Sequence, residues 1–158
     1  GLALLKNYPN IELTLADKEE NSVRQIKKNL KLNRLNAHVI KSDIFAGLDK
    51  KFDIIFANPP YIPTKKSKVQ KSVKEWEPES ALYAGVDGLA IIKKFLKDAE
   101  KHLNSNGAIY LEFGFGQKGA IEKILKQNNY KNWQFHKDQF GRWRWVKVGL
   151  PLRAGVLQ

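Results

Sequence analysis

The chain contains no cysteine and no methionine, and it has only three histidines, His38, His102 and His136. Without cysteine it has no disulfide and no thiolate metal ligand. The histidines are too scattered in the sequence for a ligand cluster. No apolar run approaches the ~18 residues of a membrane span, and no signal-peptide pattern opens the chain. These absences predict a cytoplasmic protein that has no metal site and no membrane partner.

Length and composition predict a globular protein with a true hydrophobic core. The chain has 158 residues, of which 42% are hydrophobic and 11% aromatic. Its formal net charge is +12, from 28 Lys and Arg against 16 Asp and Glu. Such an excess favours anionic partners, nucleic acid included, although a lysine-rich proteome or a solubility feature is the simpler explanation. The lysines concentrate in one segment, at Lys65, Lys66, Lys68, Lys71 and Lys74.

Apolar periodicity predicts strands that alternate with helices, the pattern of a three-layer α/β fold. Its sheet should be mostly parallel, with an antiparallel hairpin at one edge. We expect one domain over residues 1–148 and assign no role to the tail 149–158. The predicted strands are 11–16, 37–41, 52–57, 108–113, 133–137 and 142–148, and the predicted helices are 1–8, 19–32, 88–103 and 118–127.

The tetrapeptide Asn58-Pro59-Pro60-Tyr61 directly follows the apolar strand predicted over residues 52–57. Proline lacks an N–H and has a fixed φ, so two prolines cannot continue a sheet ladder. The chain therefore turns at the carboxyl end of this strand, where open α/β sheets bind their ligands. The amide of Asn58 can donate and accept hydrogen bonds there, and Tyr61 can stack on a planar group. The alternative is a strand-ending turn without chemistry.

Three sequence blocks stand out in the middle of the chain: Asn58-Pro59-Pro60-Tyr61-Ile62-Pro63, Glu77-Pro78 with Ala81-Leu82, and Gly85-Val86-Asp87-Gly88-Leu89. Together they resemble the release factor glutamine methyltransferases (HemK/PrmC), which are class I enzymes that use S-adenosylmethionine (SAM). The resemblance implies N5-methylation of a glutamine side chain in a peptide chain release factor. Two alternatives stay open: a DNA or RNA amino-methyltransferase acting on adenine-N6 or cytosine-N4, and a non-catalytic remnant of the fold.

The resemblance implies a set of SAM-binding residues. Asp17 would accept the ribose hydroxyls, Asp43 would bind the adenine amino group, and Ile44 would pack on the adenine ring. Asn58 would border the same site. The alternative for Asp17 is a helix cap, and for Asp43 a capping or turn residue.

The resemblance also implies how the substrate amide is held. The side-chain oxygen of Asn58 and the carbonyl of Pro59 would accept the two N–H protons of a glutamine amide. Tyr61 would pack against that amide, and Pro60 and Glu77 would complete the substrate-binding wall. Catalytic roles therefore fall on Asn58, Pro59 and Tyr61.

One part of the family pattern has no match in this chain. Class I methyltransferases begin with a strand and a glycine-rich turn beneath SAM, and nothing upstream of Asp17 resembles that turn. The later turn Gly114-Phe115-Gly116 follows a late strand and does not replace it. Glu112, just before that turn, is a further pocket candidate, with a structural ion pair as an equal alternative.

Overall fold

The computed structural model describes residues 1–64 and 84–149. They divide between two compact units, Gly1–Asp49 and Lys50–Gln158. Within the described ranges, no helix is both long and apolar enough to cross a bilayer. The helices are α1 (Leu2–Asn7), α2 (Glu20–Asn33), α3 (Ala90–Ala99) and α4 (Lys118–Gln127), with a 3-10 turn at Glu100–His102. The strands are β1 (Thr14–Asp17), β2 (His38–Lys41), β3 (Phe52–Ala57), β4 (Leu103–Glu112), β5 (Trp133–Lys137) and β6 (Trp143–Gly149).

The first unit is a parallel strand pair connected by a helix. Strands β1 and β2 run parallel, with Thr14 opposite His38 and Asp17 opposite Lys41. Helix α2 crosses between them and buries Val23 on its apolar stripe. Because both strands run in the same direction, their carboxyl ends lie at one edge of the pair.

The second unit is a four-stranded mixed sheet in the order β3-β4-β6-β5. Strands β3 and β4 are parallel, while β6 runs antiparallel to both β4 and β5. The predicted antiparallel hairpin at a sheet edge is thus confirmed. One face of this sheet supplies fully buried side chains to the core together with the apolar stripes of α3 and α4, namely Ile109, Leu111, Val146, Val148, Ile92, Leu96, Ile121 and Leu125.

A row of aromatic contacts lies on the opposite face of the four-stranded sheet. The rings of Phe56 and Tyr110 stack with centroids 5.1 Å apart, and the Tyr110 ring lies 5.9 Å from that of Trp145. The His136 ring stacks on Trp145 at 3.8 Å. Since each pair joins neighbouring strands, these contacts add cross-strand stabilisation along the sheet.

The largest differences from the predicted bounds are in α3 and β4. Helix α3 does not extend over residues 88–103: its N-cap position is Leu89, and it ends at Ala99, directly before the 3-10 turn. Strand β4 begins at Leu103 rather than 108, because Leu103 pairs with Phe52 and the polar residues 104–107 lie in the register shift that precedes the Ile54–Ala108 pair. Short polar segments have no periodicity, so the sequence pattern does not show this pairing.

The expected single sheet is also divided. In the described residues β1 pairs with β2 and β3 pairs with β4, in two separate sheets. The α/β class and the mostly alternating element order are as predicted.

Tyr130 provides a test of how the second unit is packed. Its side chain is 7% exposed, and its hydroxyl donates to the carbonyl of Leu96 at 2.8 Å. Burial, assisted by the nearby Glu100 carboxylate, raises the pKa of Tyr130 to about 12 from the ordinary 10.0. The folded state therefore favours the protonated phenol.

We predict that Tyr130→Phe lowers the free energy of unfolding by about 1–3 kcal/mol near neutral pH, through the lost hydrogen bond. The contribution of the protonated Tyr130 phenol to the wild-type free energy of unfolding is fully present below pH 10 and is lost as the pH rises through about 12. Urea unfolding at pH 8, 10 and 11.5 should show the difference between the two proteins shrinking. Tyr8→Phe, at an exposed position, is the control. A difference in unfolding free energy between wild type and Tyr130→Phe that stays constant across this pH range contradicts the prediction.

Candidate functional site

The carboxyl ends of β3 and β4 bring two turns together. In the parallel ladder Ala57 lies opposite Leu111, so the segments that follow both strands leave the sheet at the same edge. One is the Asn-Pro-Pro-Tyr turn and the other is the turn Gly114-Phe115-Gly116. The Tyr61 hydroxyl donates to Glu112 Oε1 at 3.3 Å, which joins the two segments.

Asn58 lies at the surface directly beyond the last residue of β3. Its side chain is exposed, whereas Pro59 and Pro60 are half-buried. The ladder ends at Ala57, as expected of a strand followed by two prolines. The amide of Asn58 is therefore accessible to a ligand and is not part of the protein interior.

Tyr61 is half-buried between the two turns. Burial, followed by the negative charge of Glu112, raises the pKa of the Tyr61 phenol, while Arg144 acts in the opposite direction. Arg144 is anchored by an ion pair to Asp138 with a Nε–Oδ2 distance of 3.5 Å. The phenol is consequently neutral at physiological pH and acts by packing and hydrogen bonding. Glu112 thus contacts the Asn-Pro-Pro-Tyr turn through a hydrogen bond from the Tyr61 hydroxyl, and this contact is not an ion pair.

The Gly-Val-Asp-Gly-Leu block lies against the same turn. Gly88 has φ +72, and a Cβ there would stand 2.3 Å from the Tyr61 carbonyl oxygen, so only glycine fits. Asp87 accepts a hydrogen bond from the Leu89 N–H at 3.0 Å and one from Lys93 Nζ at 2.7 Å. The Lys93 contact, with the backbone bond to Leu89, lowers the pKa of Asp87. Asp87 therefore stabilises the start of α3 from outside the N-cap position.

Gln117 is a site residue that the sequence reasoning missed. Its side-chain oxygen accepts the Gly114 N–H at 2.8 Å, and its Nε2 donates to the Tyr61 carbonyl at 3.0 Å. The available signal was an amide at the N-cap of a predicted helix, directly after a Gly-x-Gly turn. That signal indicates a cap, but it does not reveal a partner 56 residues away in sequence.

Two backbone hydrogen bonds link the residues that follow the turn to Ala84 and Gly85. The Thr64 N–H donates to the Gly85 carbonyl at 3.0 Å, and the Ala84 N–H donates to the Ile62 carbonyl at 3.1 Å. The predicted wall residue Glu77 lies outside the described residues, as do Pro78, Ala81-Leu82 and the five lysines of the basic segment. Their roles remain predictions.

The predicted SAM-binding acids lie together in the first unit. Asp17 ends β1 and Asp43 follows β2 by two residues, and the Ser42 N–H donates to the Asp17 carbonyl at 2.9 Å. Asp17 Oδ1 also accepts the Glu19 N–H at 2.8 Å, which stabilises the turn before α2; the N-cap position of α2 is Glu19, so Asp17 is not its helix cap. Carboxylates at the ends of adjacent parallel strands are the acceptors that ribose hydroxyls and an exocyclic amine require. These residues therefore fit the cofactor.

The loop after β2 has an unusual backbone at Ile44. This β-branched residue has φ +61 and is half-buried. The buried Ser42 hydroxyl lies 2.7 Å from the Ala46 carbonyl oxygen and 3.0 Å from that of Ile44. Non-glycine residues adopt this conformation at a cost, and such residues often occur at ligand sites.

Across the parts of the chain that the structure describes, no group of three or more His, Asp or Glu is arranged to hold a metal.

Sequence comparison shows what the chain is similar to. The family model described as methyltransferase small domain matches residues 1–75. A release factor glutamine methyltransferase from Streptococcus pneumoniae is 38% identical over 150 residues, which covers 94% of this chain and 54% of that protein. By sequence, the chain is similar to release factor glutamine methyltransferases over most of its length. It spans about half the length of the curated relatives that it matches.

Solved structures show the same fold. A ribosomal protein L11 methylase from Lactobacillus delbrueckii has a TM-score of 0.66 at 20% identity, covering 94% of this chain and 63% of that one. A 16S rRNA methyltransferase from Thermus thermophilus, solved with AdoMet and guanosine, has a TM-score of 0.61 at 19% identity, covering 89% and 32%. The fold is that of class I SAM methyltransferases, as the resemblance implied. The expected methyltransferase class agrees with the names of the sequence relatives, and one structural neighbour was solved with AdoMet.

We predict that Gly88→Ala destabilises the protein through a steric clash with the Tyr61 carbonyl. Gly116→Ala is the matched control, because Gly116 also has positive φ (+85) but has no atom within 4 Å of an added Cβ. The control should cost about 1 kcal/mol of backbone strain, and Gly88→Ala about 1–3 kcal/mol more. Denaturant unfolding of both variants measures the difference, and equal losses would contradict the assigned contact.

Proposed function

We propose that the protein containing this chain transfers a methyl group from SAM to the N5 nitrogen of a glutamine side chain, with a peptide chain release factor as its substrate. The observation that carries the proposal is the exposed Asn58 amide on a rigid turn at the carboxyl end of β3. The similarity to release factor glutamine methyltransferases supports the choice of substrate. In this proposal residues 1–148 are part of the catalytic domain, and residues 149–158 have no assigned role.

The turn offers two acceptors to a planar amide. The side-chain oxygen of Asn58 and the carbonyl of Pro59 would each accept one N–H of the substrate amide, which sets the orientation of its nitrogen. The Tyr61 ring, held by its contact with Glu112, would pack against the amide plane. Pro60 restricts the backbone between them.

The cofactor is assigned to the edge of the first unit. Asp17 would accept the ribose hydroxyls, Asp43 the adenine amino group, and Ile44 would pack on the adenine ring. When bound, SAM supplies an electrophilic methyl group on a positively charged sulfur. A positioned nitrogen then needs no strong base, so orientation and local electrostatics account for most of the rate.

The leading alternative is a nucleic acid amino-methyltransferase. The net charge of +12 and the Asn-Pro-Pro-Tyr turn favour it, since such enzymes place a flipped base against a comparable amide. The structural likeness to an rRNA methyltransferase is at 19% identity and shows the fold alone. The Gly-Val-Asp-Gly-Leu block and the sequence relatives favour the glutamine enzyme.

One experiment separates these functions and the non-catalytic remnant. The complete protein is incubated with labelled SAM and either a release factor or single- and double-stranded oligonucleotides. The proposal expects label on the release factor, located on a glutamine by mass spectrometry. Label on the oligonucleotides alone establishes the alternative function, and no label together with no SAM binding in calorimetry indicates the remnant.

We predict that Asn58→Ala lowers kcat for methyl transfer about 100-fold or more, since one of the two amide acceptors is lost. The dissociation constant of SAM, measured by calorimetry, should change less than about threefold because Asp17 and Asp43 are intact. Asn33→Ala, an exposed asparagine at the end of α2, is the control. A near-normal kcat for Asn58→Ala would remove the residue from the proposed mechanism.

We predict that Asp17→Asn weakens SAM binding about tenfold or more. The change keeps an oxygen that can accept the Glu19 N–H, so the turn before α2 is preserved. It removes the charged acceptor of the two ribose hydroxyls. Calorimetry gives the affinity, and thermal unfolding checks that the turn is intact. Unchanged affinity would show that the carboxylate serves only this turn.

A further inference from the structure

We propose that Gln117 is a positioning residue for the methyl transfer, an inference that rests on the proposed function. Its carboxamide holds the carbonyl of Tyr61 and thereby fixes the turn that presents Asn58 and Pro59. Gln117 is at the N-cap of α4, at the end of the turn that follows β4.

The partners of Gln117 determine how its amide is oriented. Its Oε1 accepts the Gly114 N–H at 2.8 Å. Its Nε2 lies 3.0 Å from the carbonyl oxygen of Tyr61, 3.3 Å from that of Asp87 and 3.4 Å from that of Gly88. The reversed amide would set an oxygen against three carbonyls and an NH2 group against an N–H. One orientation satisfies every partner, and the shortest of the three donor contacts is to Tyr61.

Two glycines make room for this contact. A Cβ at Gly88 would stand 2.3 Å from the Tyr61 oxygen and 2.9 Å from Gln117 Nε2. A Cβ at Gly114 would stand 2.9 Å from Gln117 Oε1 and 3.0 Å from Tyr61 Cδ2. Two separate segments therefore lack side chains at the points where Gln117 and Tyr61 meet. This observation is independent of the hydrogen bonds: a side chain at either position would prevent the contact between Gln117 and Tyr61.

The geometry links this contact to Asn58. The turn is held at its start by Ala57, which lies in the ladder opposite Leu111, and at its end by the Tyr61 carbonyl. The two residues between Asn58 and Tyr61 are prolines with restricted φ. With few free torsions between the two anchors, a shift at the Tyr61 carbonyl is transmitted to Asn58. A misplacement of about 1 Å at a reacting group costs on the order of 100-fold in rate.

A role confined to stabilising the glycine turn before α4 makes a different prediction. That role uses the side-chain oxygen alone, through the Gly114 N–H, and Gln117 makes no side-chain cap to α4. Gln117→Glu keeps that acceptor and the side-chain length, but at neutral pH it places a carboxylate against three carbonyls. Gln117→Leu removes both functions. A positioning role therefore requires Gln117→Glu to be defective, whereas a role limited to the glycine turn does not.

The test measures kinetics in the complete protein with SAM and a release factor. We expect kcat to fall about 30- to 100-fold in both Gln117→Glu and Gln117→Leu, with the SAM dissociation constant within about threefold of wild type. Because a protonated carboxyl can again donate to the Tyr61 carbonyl, kcat of Gln117→Glu relative to wild type should rise as the pH is lowered from 8 to 6. Gln127→Glu, on an exposed position of the same helix, is the control. A normal kcat for Gln117→Glu overturns the proposal.

A second readout does not depend on activity. Crystal structures of wild type and Gln117→Leu should differ by about 1 Å or more at the Asn58 Cα. If the Asn58 Cα keeps its position, the positioning role is wrong whatever the kinetics show. If the wild-type protein methylates no glutamine, the proposed function fails, and the displacement of Asn58 still decides whether Gln117 positions the turn.

Discussion

The parallel pairing of β3 with β4 is the constraint on which the candidate site depends. Parallel strands end at the same edge of a sheet, so the chain segments that follow them emerge side by side. Ala57 and Leu111 are the last paired residues, and the Asn-Pro-Pro-Tyr turn and the glycine turn start just beyond them. A strand order that separated β3 from β4 would separate these two turns and leave Tyr61 without its contacts to Glu112 and Gln117.

Polar contacts of Tyr61 then fix the position of the Asn-Pro-Pro-Tyr turn at this sheet edge. The Tyr61 hydroxyl is paired with Glu112, and its carbonyl is paired with Gln117. A buried polar group left without a partner costs about 1–3 kcal/mol, so breaking either contact is unfavourable even though each bond adds little net stability. Gly88 and Gly114 allow these partners to approach, which explains why glycine occurs in both flanking segments.

Much of the architecture follows from the sequence pattern. Strand β3, helix α4 and strand β5 have the predicted bounds, because continuous apolar runs and an uninterrupted helical stripe indicate them directly. The predicted starts of β4 and α3 were wrong for a common reason. Both depend on what polar residues contact: Asn104 donates to Asp53 at 2.8 Å, and Asp87 accepts from Leu89. Polar segments have no periodicity from which such partners can be read.

The sequence by itself determined the element order, the position of Asn58 beyond a strand and the likeness to glutamine methyltransferases. Those features are local: apolar periodicity defines elements, and two prolines end a strand wherever they occur. Only the tertiary structure decided that Gln117 supports Tyr61, that Glu112 contacts the same tyrosine, and that the strands of the described residues divide into two sheets. Each of these joins residues distant in sequence, and a linear pattern does not specify which distant groups satisfy one another's hydrogen bonds.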